Sequence, residues 1–252
     1  MTTKTLLSFA RRAIQDYDMI SDGDVIGVGI SGGKDSLVLL TALAELRRFL
    51  PQKFTLHAFH VDLGFPDASL NESRRVCKRY GVPLHTVKTE IGRIIFEERK
   101  EKNPCSLCSK MRRGALGRAA AELGCNVLAL GHHRDDVVET LLLNLFYAGR
   151  IATFEPKSFL DRSGLMLIRP LIYMEEKDIL YFCTKQEIRP DKSGCPADEK
   201  THREDIKQLL RSLSKENRDI TSKIFGAICR ANVSTFREVQ TSRAEPTDHP
   251  TE

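Results

Sequence analysis

Three groups of residues in this 252-residue chain have the types and spacing to do chemistry. The first is Ser31-Gly-Gly-Lys-Asp-Ser36, small and polar with one cation. Gly32 and Gly33 let the backbone close on a ligand with no Cβ in the way, and Lys34 adds a mobile point charge. If a helix follows, its unpaired first-turn N–H groups and its dipole favour an anion at this point. The alternative is a glycine turn ahead of an ordinary helix. The run is not a Walker A loop. Val28 stands where that pattern needs glycine, six residues before the lysine, and Asp35 stands where it needs the Ser or Thr that holds magnesium.

The second group is Gly131-His-His-Arg-Asp-Asp136. Gly131 permits close approach of backbone, and the adjacent carboxylates Asp135 and Asp136 suit a Mg2+ bound to ATP phosphates, since magnesium prefers one or two carboxylates plus phosphate oxygens. One of the two aspartates could equally cap the next helix. The third group is made of cysteines. Cys105 and Cys108 lie in Pro104-Cys-Ser-Leu-Cys108, a spacing that lets two thiolates meet one metal centre but that redox dithiols share. A zinc site needs two more ligands, and Cys195, in a loop after Pro190, is the best remaining candidate. Three thiolates leave one position open, which suits a 4Fe–4S cluster with one iron free for a non-protein ligand. Cys77, Cys125, Cys183 and Cys229 sit in or beside helical patterns and read as small buried hydrophobes.

These groups need a scaffold, and the periodicity supplies one. Val25–Ile30 is a β-branched apolar run broken by glycines, a buried strand, and an apolar-faced helix runs over Leu37–Leu46. Further strands are expected at 54–61, 84–87 and 127–130, with 165–168 as a last one. Helices are expected at 69–80, 91–100, 110–123 and 137–147, with Cys105 and Cys108 in an interruption before the third of these. This alternation predicts an α/β fold, a doubly wound, mostly parallel sheet covered on both faces. In such sheets ligands bind beyond the carboxyl ends of the strands, where Ser31–Ser36, His60-Val61-Asp62 and Gly131–Asp136 all fall. His60 by itself reads equally as a satisfied strand-end histidine. Pro156 and Gly164 flank a loop. The expected organisation is an N-terminal helix (1–20), a nucleotide-binding α/β domain (21–170), a C-terminal helical region (171–241) and a disordered tail (242–252).

The net charge of +5 is compatible with a polyanionic partner without demanding one. Lys110, Arg112, Arg113 and Arg118 follow the cysteine pair on one helix, either as a solvated basic face or as contacts to RNA phosphates or ATP. No apolar run is long enough to span a membrane, and the N-terminus lacks the apolar stretch of a secretory signal. An odd count of seven cysteines argues against a disulfide framework. A cytoplasmic protein is expected.

Ser31–Ser36 resembles the PP-loop of the N-type ATP pyrophosphatases, which cleave ATP to AMP and diphosphate and use the AMP to activate a carbonyl oxygen. Taken with Pro-Cys-Ser-Leu-Cys-Ser-Lys-Met-Arg-Arg-Gly (104–114), Gly-His-His-Arg-Asp-Asp (131–136), Ile-Arg-Pro-Leu (168–171) and Glu-Lys-Asp-Ile (176–179), it is similar to the tRNA 2-thiocytidine synthetases and their 2-thiouridine relatives over roughly residues 20–212. The resemblance implies an adenine nucleotide alpha hydrolase-like fold and an iron–sulfur-dependent tRNA sulfurtransferase using ATP and Mg2+. It implies a 4Fe–4S cluster on Cys105, Cys108 and Cys195. It implies an ATP site at Ser31, Gly32, Gly33, Lys34, Asp35, Ser36, His60 and Gly131, and a catalytic set of Asp136, Lys34 and Asp35. The partners implied are tRNA and a sulfur donor, either a cysteine desulfurase or sulfide, with a homodimer as one open arrangement. The chain departs from the 2-thiocytidine group in having Cys195 alone where that group has Cys-x-x-Cys, and from the 2-thiouridine relatives in lacking their N-terminal zinc module, with no cysteine before Cys77. A tRNA lysidine-type ligase would use the same adenylation but give Cys105 and Cys108 no role. A metal-stapled RNA-binding module would hold zinc and not exchange diphosphate. A desulfurating enzyme on the same cysteines would not need the intact loop.

Overall fold

The computed structural model describes residues 3–66, 68–99, 104–192, 194–196 and 202–236. The expected tail at 242–252 lies outside them. β1 (Val25–Gly29), β2 (Thr55–Asp62), β3 (Leu84–Lys88), β4 (Val127–Ala129), β5 (Lys157–Leu160) and β6 (Leu165–Ile168) form one sheet in the order β3-β2-β1-β4-β6-β5. Every pairing is parallel except β5 with β6. The central register places Ile26 beside Leu56 on one side and Val127 on the other. The edge corrects an expectation. Residues 156–164 are not all loop, because Lys157–Leu160 turns back through Gly164 (φ +67°) to pair with β6. An edge strand of four residues, partly exposed, shows too little alternation to be read from sequence.

The helices are α1 (Thr3–Asp16), α2 (Lys34–Leu46), α3 (Asn71–Tyr80), α4 (Ile91–Arg93) continued by a π turn over Ile94–Glu98, α5 (Pro104–Glu122), α6 (Arg134–Ala148), α7 (Glu176–Lys185), α8 (His202–Glu216) and α9 (Ile220–Arg230). Alternate strand residues point to opposite faces. Ile26, Val28, Leu56 and Ala58 join one core with Leu6 of α1, Leu39 and Leu43 of α2, and Phe225 and Ile228 of α9. Phe59, Val61, Leu128 and Leu167 join a second core with Ile95, Leu116 and Ala120. Each Val, Leu, Ile or Phe side chain among these contributes about 1.5–3 kcal/mol on leaving water.

The glycines of β1 decide how closely the second layer sits. A Cβ at Gly27 would lie 3.2 Å from Ala120 Cβ, and one at Gly29 would lie 2.8 Å from a Leu130 methyl and 3.0 Å from a Leu116 methyl. Their absence lets α5 lie directly on β1. A helix in such a layer starts at the carboxyl edge of the sheet and runs back antiparallel to the strands, so the first turns of α5 belong to the same edge as the Ser31–Ser36 loop.

Cys77, Cys125, Cys183 and Cys229 are buried. Burial pushes the Cys77 and Cys183 thiols up to about 11, so both stay neutral and pack as hydrophobes. Among the described residues no helix is long and apolar enough to cross a membrane.

Candidate functional site: a nucleotide loop beside three thiols

α2 begins at Lys34, three residues earlier than the apolar periodicity indicates, so Lys34, Asp35 and Ser36 form its first turn. Gly33 is the extended N-cap and makes no side-chain cap hydrogen bond, leaving the first-turn N–H groups for an anion. Gly32 is left-handed (φ +83°), the one place in the loop that requires glycine conformationally. The two serines hold the loop in shape. Ser36 Oγ donates to the Gly33 carbonyl (2.9 Å) and accepts from the Ser31 N–H (3.2 Å), while Ser31 Oγ accepts from the Gly33 N–H (3.2 Å).

Lys34 Nζ lies 2.9 Å from Glu176 Oε1 and 3.2 Å from Asp35 Oδ2. Burial pulls its pKa down, but Asp35 and Glu176 more than offset this, so it is held above its ordinary value and stays charged. Gly131 turns out to serve packing between two loops. A Cβ there would come within 2.8 Å of the Asp35 carbonyl and 3.0 Å of the Ser36 nitrogen. Replacing Gly131 by Ala is expected to force the β4–α6 turn off the start of α2 and to cost about 1–3 kcal/mol as overpacking. Thermal unfolding should register this as a melting point lower by several degrees, and an unchanged melting point would show that the two turns are not in contact.

His133 caps α6, so neither Asp135 nor Asp136 is the N-cap residue. Its ring is almost fully enclosed and faces three carboxylates: Nδ1 is 3.6 Å from Asp135, and Nε2 is 3.5 Å from Asp136 and 3.7 Å from Asp35. Burial opposes the imidazolium, but Asp135, Asp136 and Asp35 together hold its pKa above the ordinary value. Asp135 accepts from the Glu176 N–H (2.7 Å), which docks α7 against α6. Asp136 is engaged on both oxygens, by the His133 N–H (3.0 Å) and by Arg203 Nη1 of α8 (2.9 Å). Burial would raise Asp136, but the His133 imidazolium, the His133 N–H and Arg203 prevail and hold it below its ordinary value. Asp35 Oδ1, by contrast, is buried and makes no hydrogen bond. Burial leaves the Asp35 carboxyl above its ordinary range against the pull of His133 and Lys34. An orphaned carboxylate oxygen costs free energy unless a cation or ligand meets it. Asp35 together with Asp136 therefore fits a magnesium site completed by phosphate oxygens.

Glu139 is a further carboxylate of this cluster, 2% exposed and bound by Arg203 Nη1 at 3.0 Å. Burial pushes it up to about 7, against Lys207 and Arg203 and with Asp136 adding to the rise. The native state thus holds a proton that the unfolded chain, with its ordinary value of 4.5, releases. Its contribution to stability is complete below pH 4.5 and is lost as pH rises toward 7. Glu139→Gln should flatten that decline by up to ~1.4 kcal/mol per pH unit, read from urea midpoints across the window. A slope equal to that of the native chain would show that Glu139 titrates normally.

His60 donates from Nδ1 to the Ile30 carbonyl (3.0 Å), since a carbonyl can only accept. It props the end of β1 just before the loop and leaves Nε2 as an acceptor. His132 accepts at Nδ1 from Arg169 Nε (3.3 Å), which fixes the proton on Nε2. Burial and Arg169 push His132 down to about 4, so it is a neutral donor beside Asp136. Arg169 stacks 4.7 Å over Phe154 and donates to the Glu155 carbonyl.

Pro104 occupies the first position of α5, so Cys105 and Cys108 stand on the opening turns of the helix and not in a loop before it. Cys105 is exposed, and Cys108 and Cys195 are half-buried. Burial raises the Cys108 thiol, Arg112 opposes this, and the proximity of Cys195 and Cys105 raises it further. Cys108 therefore lies within electrostatic reach of both Cys105 and Cys195. Among the described residues, no three His, Cys, Asp or Glu side chains converge on a single metal ion. Cys105, Cys108 and Cys195 are three thiols of the donor type that an iron–sulfur cluster or a zinc ion takes.

Sequence reasoning missed Glu139 and Asp191, met Arg169 only inside the Ile-Arg-Pro-Leu motif (168–171), and read Arg203 only as one of a basic stretch. Glu139 carried a signal, a carboxylate set among Val137, Val138 and Leu142. A PP-loop domain model matches residues 6–214. The tRNA-cytidine(32) 2-sulfurtransferase of Syntrophotalea carbinolica is 40% identical over 220 residues, 86% of this chain and 85% of that protein. Its counterpart in Alcanivorax borkumensis is 41% identical over 223 residues, 86% of this chain and 77% of that one. Among solved structures, a U34-tRNA thiolase from Methanococcus maripaludis with its 4Fe–4S cluster has a TM-score of 0.72 at 24% identity, covering 91% of this chain and 79% of that one. The NH3-dependent NAD synthetase of Campylobacter jejuni has a TM-score of 0.51 at 15% identity, covering 88% of each. These two share the fold. The loop, the carboxylate cluster and the extent of the curated matches together identify the chain as a PP-loop protein of the tRNA-cytidine(32) 2-sulfurtransferase family.

Proposed function

We propose that the protein replaces the carbonyl oxygen of a tRNA cytidine with sulfur, converting ATP to AMP and diphosphate. The observation that carries this reading is the placement of the thiols about the phosphate loop: Cys105 and Cys108 open α5 at the sheet edge where the loop lies, Cys108 is within reach of Cys195, and the segment leading to Cys195 is hydrogen-bonded to the loop at Gly32. ATP phosphates take the N–H groups at the start of α2, and Lys34 exchanges its carboxylate partners for phosphate oxygens. Asp35 and Asp136 would hold Mg2+, which when bound neutralises phosphate charge. The base carbonyl oxygen attacks the α-phosphorus and diphosphate leaves, so the oxygen departs later as part of AMP, a far better leaving group than hydroxide. Lys34 and the loop N–H groups stabilise the charge that develops on the phosphate oxygens. Arg203 and the His133 N–H fix Asp136 through this step. Cys105, Cys108 and Cys195 would hold a 4Fe–4S cluster, which when bound supplies an iron open to sulfur.

The basic residues Lys110, Arg112, Arg113 and Arg118 lie on the helix that opens with the cysteines, which suits contact with tRNA phosphates. A cysteine desulfurase or sulfide would supply the sulfur, in the cytoplasm, and a homodimer is compatible with this role. Anaerobic purification with metal and sulfide analysis tests the proposal, alongside mass spectrometry of tRNA nucleosides after reaction. About four irons with acid-labile sulfide per chain and ATP-dependent 2-thiocytidine are expected. One zinc with no sulfide would sink it.

A further inference from the structure

Asp191 ties the segment that leads to Cys195 to the phosphate loop. Its backbone N–H donates to the Gly32 carbonyl at 2.9 Å. A Cβ on Gly32 would come within 3.0 Å of Asp191 Cβ, so the two segments are in direct contact where the loop turns left-handed. The carboxylate of Asp191 is anchored elsewhere. Oδ1 accepts from the Glu72 N–H (2.9 Å) and Ser69 Oγ (3.3 Å), and Oδ2 accepts from the Ser73 N–H (2.9 Å) and Ser73 Oγ (2.7 Å). That is the hydrogen bonding of a helix cap, delivered to α3 by a residue 118 positions away from Ser73, while α3's own N-cap residue, Leu70, has no capping side chain. Flanking contacts lengthen the seam. Lys192 N–H donates to Ser69 Oγ (3.3 Å), the Ser69 N–H donates to the Lys192 carbonyl (3.1 Å), and the Arg189 N–H donates to Glu72 Oε1 (3.2 Å). A cleft lined by Lys34, Glu187, Arg189 and Pro190 opens along the same segment.

We infer that Asp191 is a positioning residue that couples the nucleotide loop to Cys195, so that occupancy of the loop is transmitted to the thiol four residues further on. The inference rests on the PP-loop binding ATP, and on no step of the thiolation. Phosphates bound at Gly32 and Gly33 fix the Gly32 carbonyl, which fixes the Asp191 N–H. The carboxylate pins the same residue to α3, so phosphate that orders the loop tightens the Asp191 joint from which the chain leads on to Cys195. The residue touches no reacting atom in this scheme.

The test uses the full-length chain, reduced and without iron, and measures alkylation of each cysteine by iodoacetamide with and without a magnesium-bound, non-hydrolysable ATP analogue. In the native chain the analogue is expected to change the Cys195 rate roughly fivefold or more, a coupling of ordinary size. In Asp191→Ala the analogue should still bind, measured by calorimetry, while the Cys195 rate becomes insensitive to it. The Cys105 and Cys108 rates should be the same in the variant and the native chain. Asp191→Asn keeps the backbone donor and one acceptor oxygen but turns an amide toward Ser73, and should lose most of the response with the fold intact by circular dichroism. It carries the test if the alanine variant unfolds. An equal response of Cys195 in the native chain and the asparagine variant, or no response in the native chain, overturns the inference. Because no iron or tRNA enters the assay, its failure is distinct from failure of the thiolation reading, which the metal and nucleoside analyses decide.

Discussion

Asp136→Asn is expected to lower ATP-dependent thiolation by roughly 10²–10³-fold, the scale on which removing one electrostatic contact from a polar transition state is felt. Asp136 accepts from the His133 N–H on one oxygen and from Arg203 on the other. An asparagine has one acceptor oxygen, so either the backbone donor or the guanidinium must face an amide N–H. The substitution also removes one of the three carboxylates around His133, leaving Asp35 and Asp135. Metal binding would weaken as well, since Asp35 would hold magnesium with phosphate oxygens alone. Diphosphate release under single-turnover conditions isolates the step. A loss of diphosphate release that matches the loss of thiolation places Asp136 at adenylation. A variant within threefold of the native rate would remove Asp136 from the catalytic set.

What could be read in the sequence was local. The Ser31–Ser36 loop announces itself because strand, glycines and helix are contiguous, and the fold class follows because parallel strands and helices alternate with their own periods. The spacing of Cys105 and Cys108 survives the correction that puts both on a helix, since residues three apart share a helix face. The aspartates were harder. Two adjacent carboxylates at a helix start look interchangeable, and only the partners separate them: Asp135 takes the Glu176 N–H, and Asp136 takes Arg203. Those partners come from α7 and α8, and contacts between distant segments leave no periodic trace in one sequence. Asp191 is the extreme case. Nothing in Pro-Asp-Lys (190–192) distinguishes a turn aspartate from a cap supplied to α3 from the far end of the chain. β5 escaped because an edge strand with a single partner needs little apolar patterning.

Cys195→Ala should abolish the visible absorbance of the iron–sulfur centre and thiolation together, to background. Three thiolates leave one iron without a protein ligand. Two would leave a second iron exposed, and a cluster with two of its four irons lacking a protein ligand is not retained through purification. Cys195 is the one of the three thiols that sequence spacing does not select, since it lies 87 residues beyond Cys108 (195 − 108) and reaches it only through the fold. The substitution is half-buried and outside both cores, so the melting point of the metal-free chain should shift by no more than a degree or two. Cys183→Ala is the counterpart. That thiol is a buried α7 residue of the main core, and its loss should lower stability by about 1 kcal/mol while leaving iron content and absorbance intact. The pair of variants separates ligation from packing. Normal iron content in Cys195→Ala would exclude it as a ligand, and loss of iron from Cys183→Ala at full stability would mean that the sorting of the cysteines by burial is wrong.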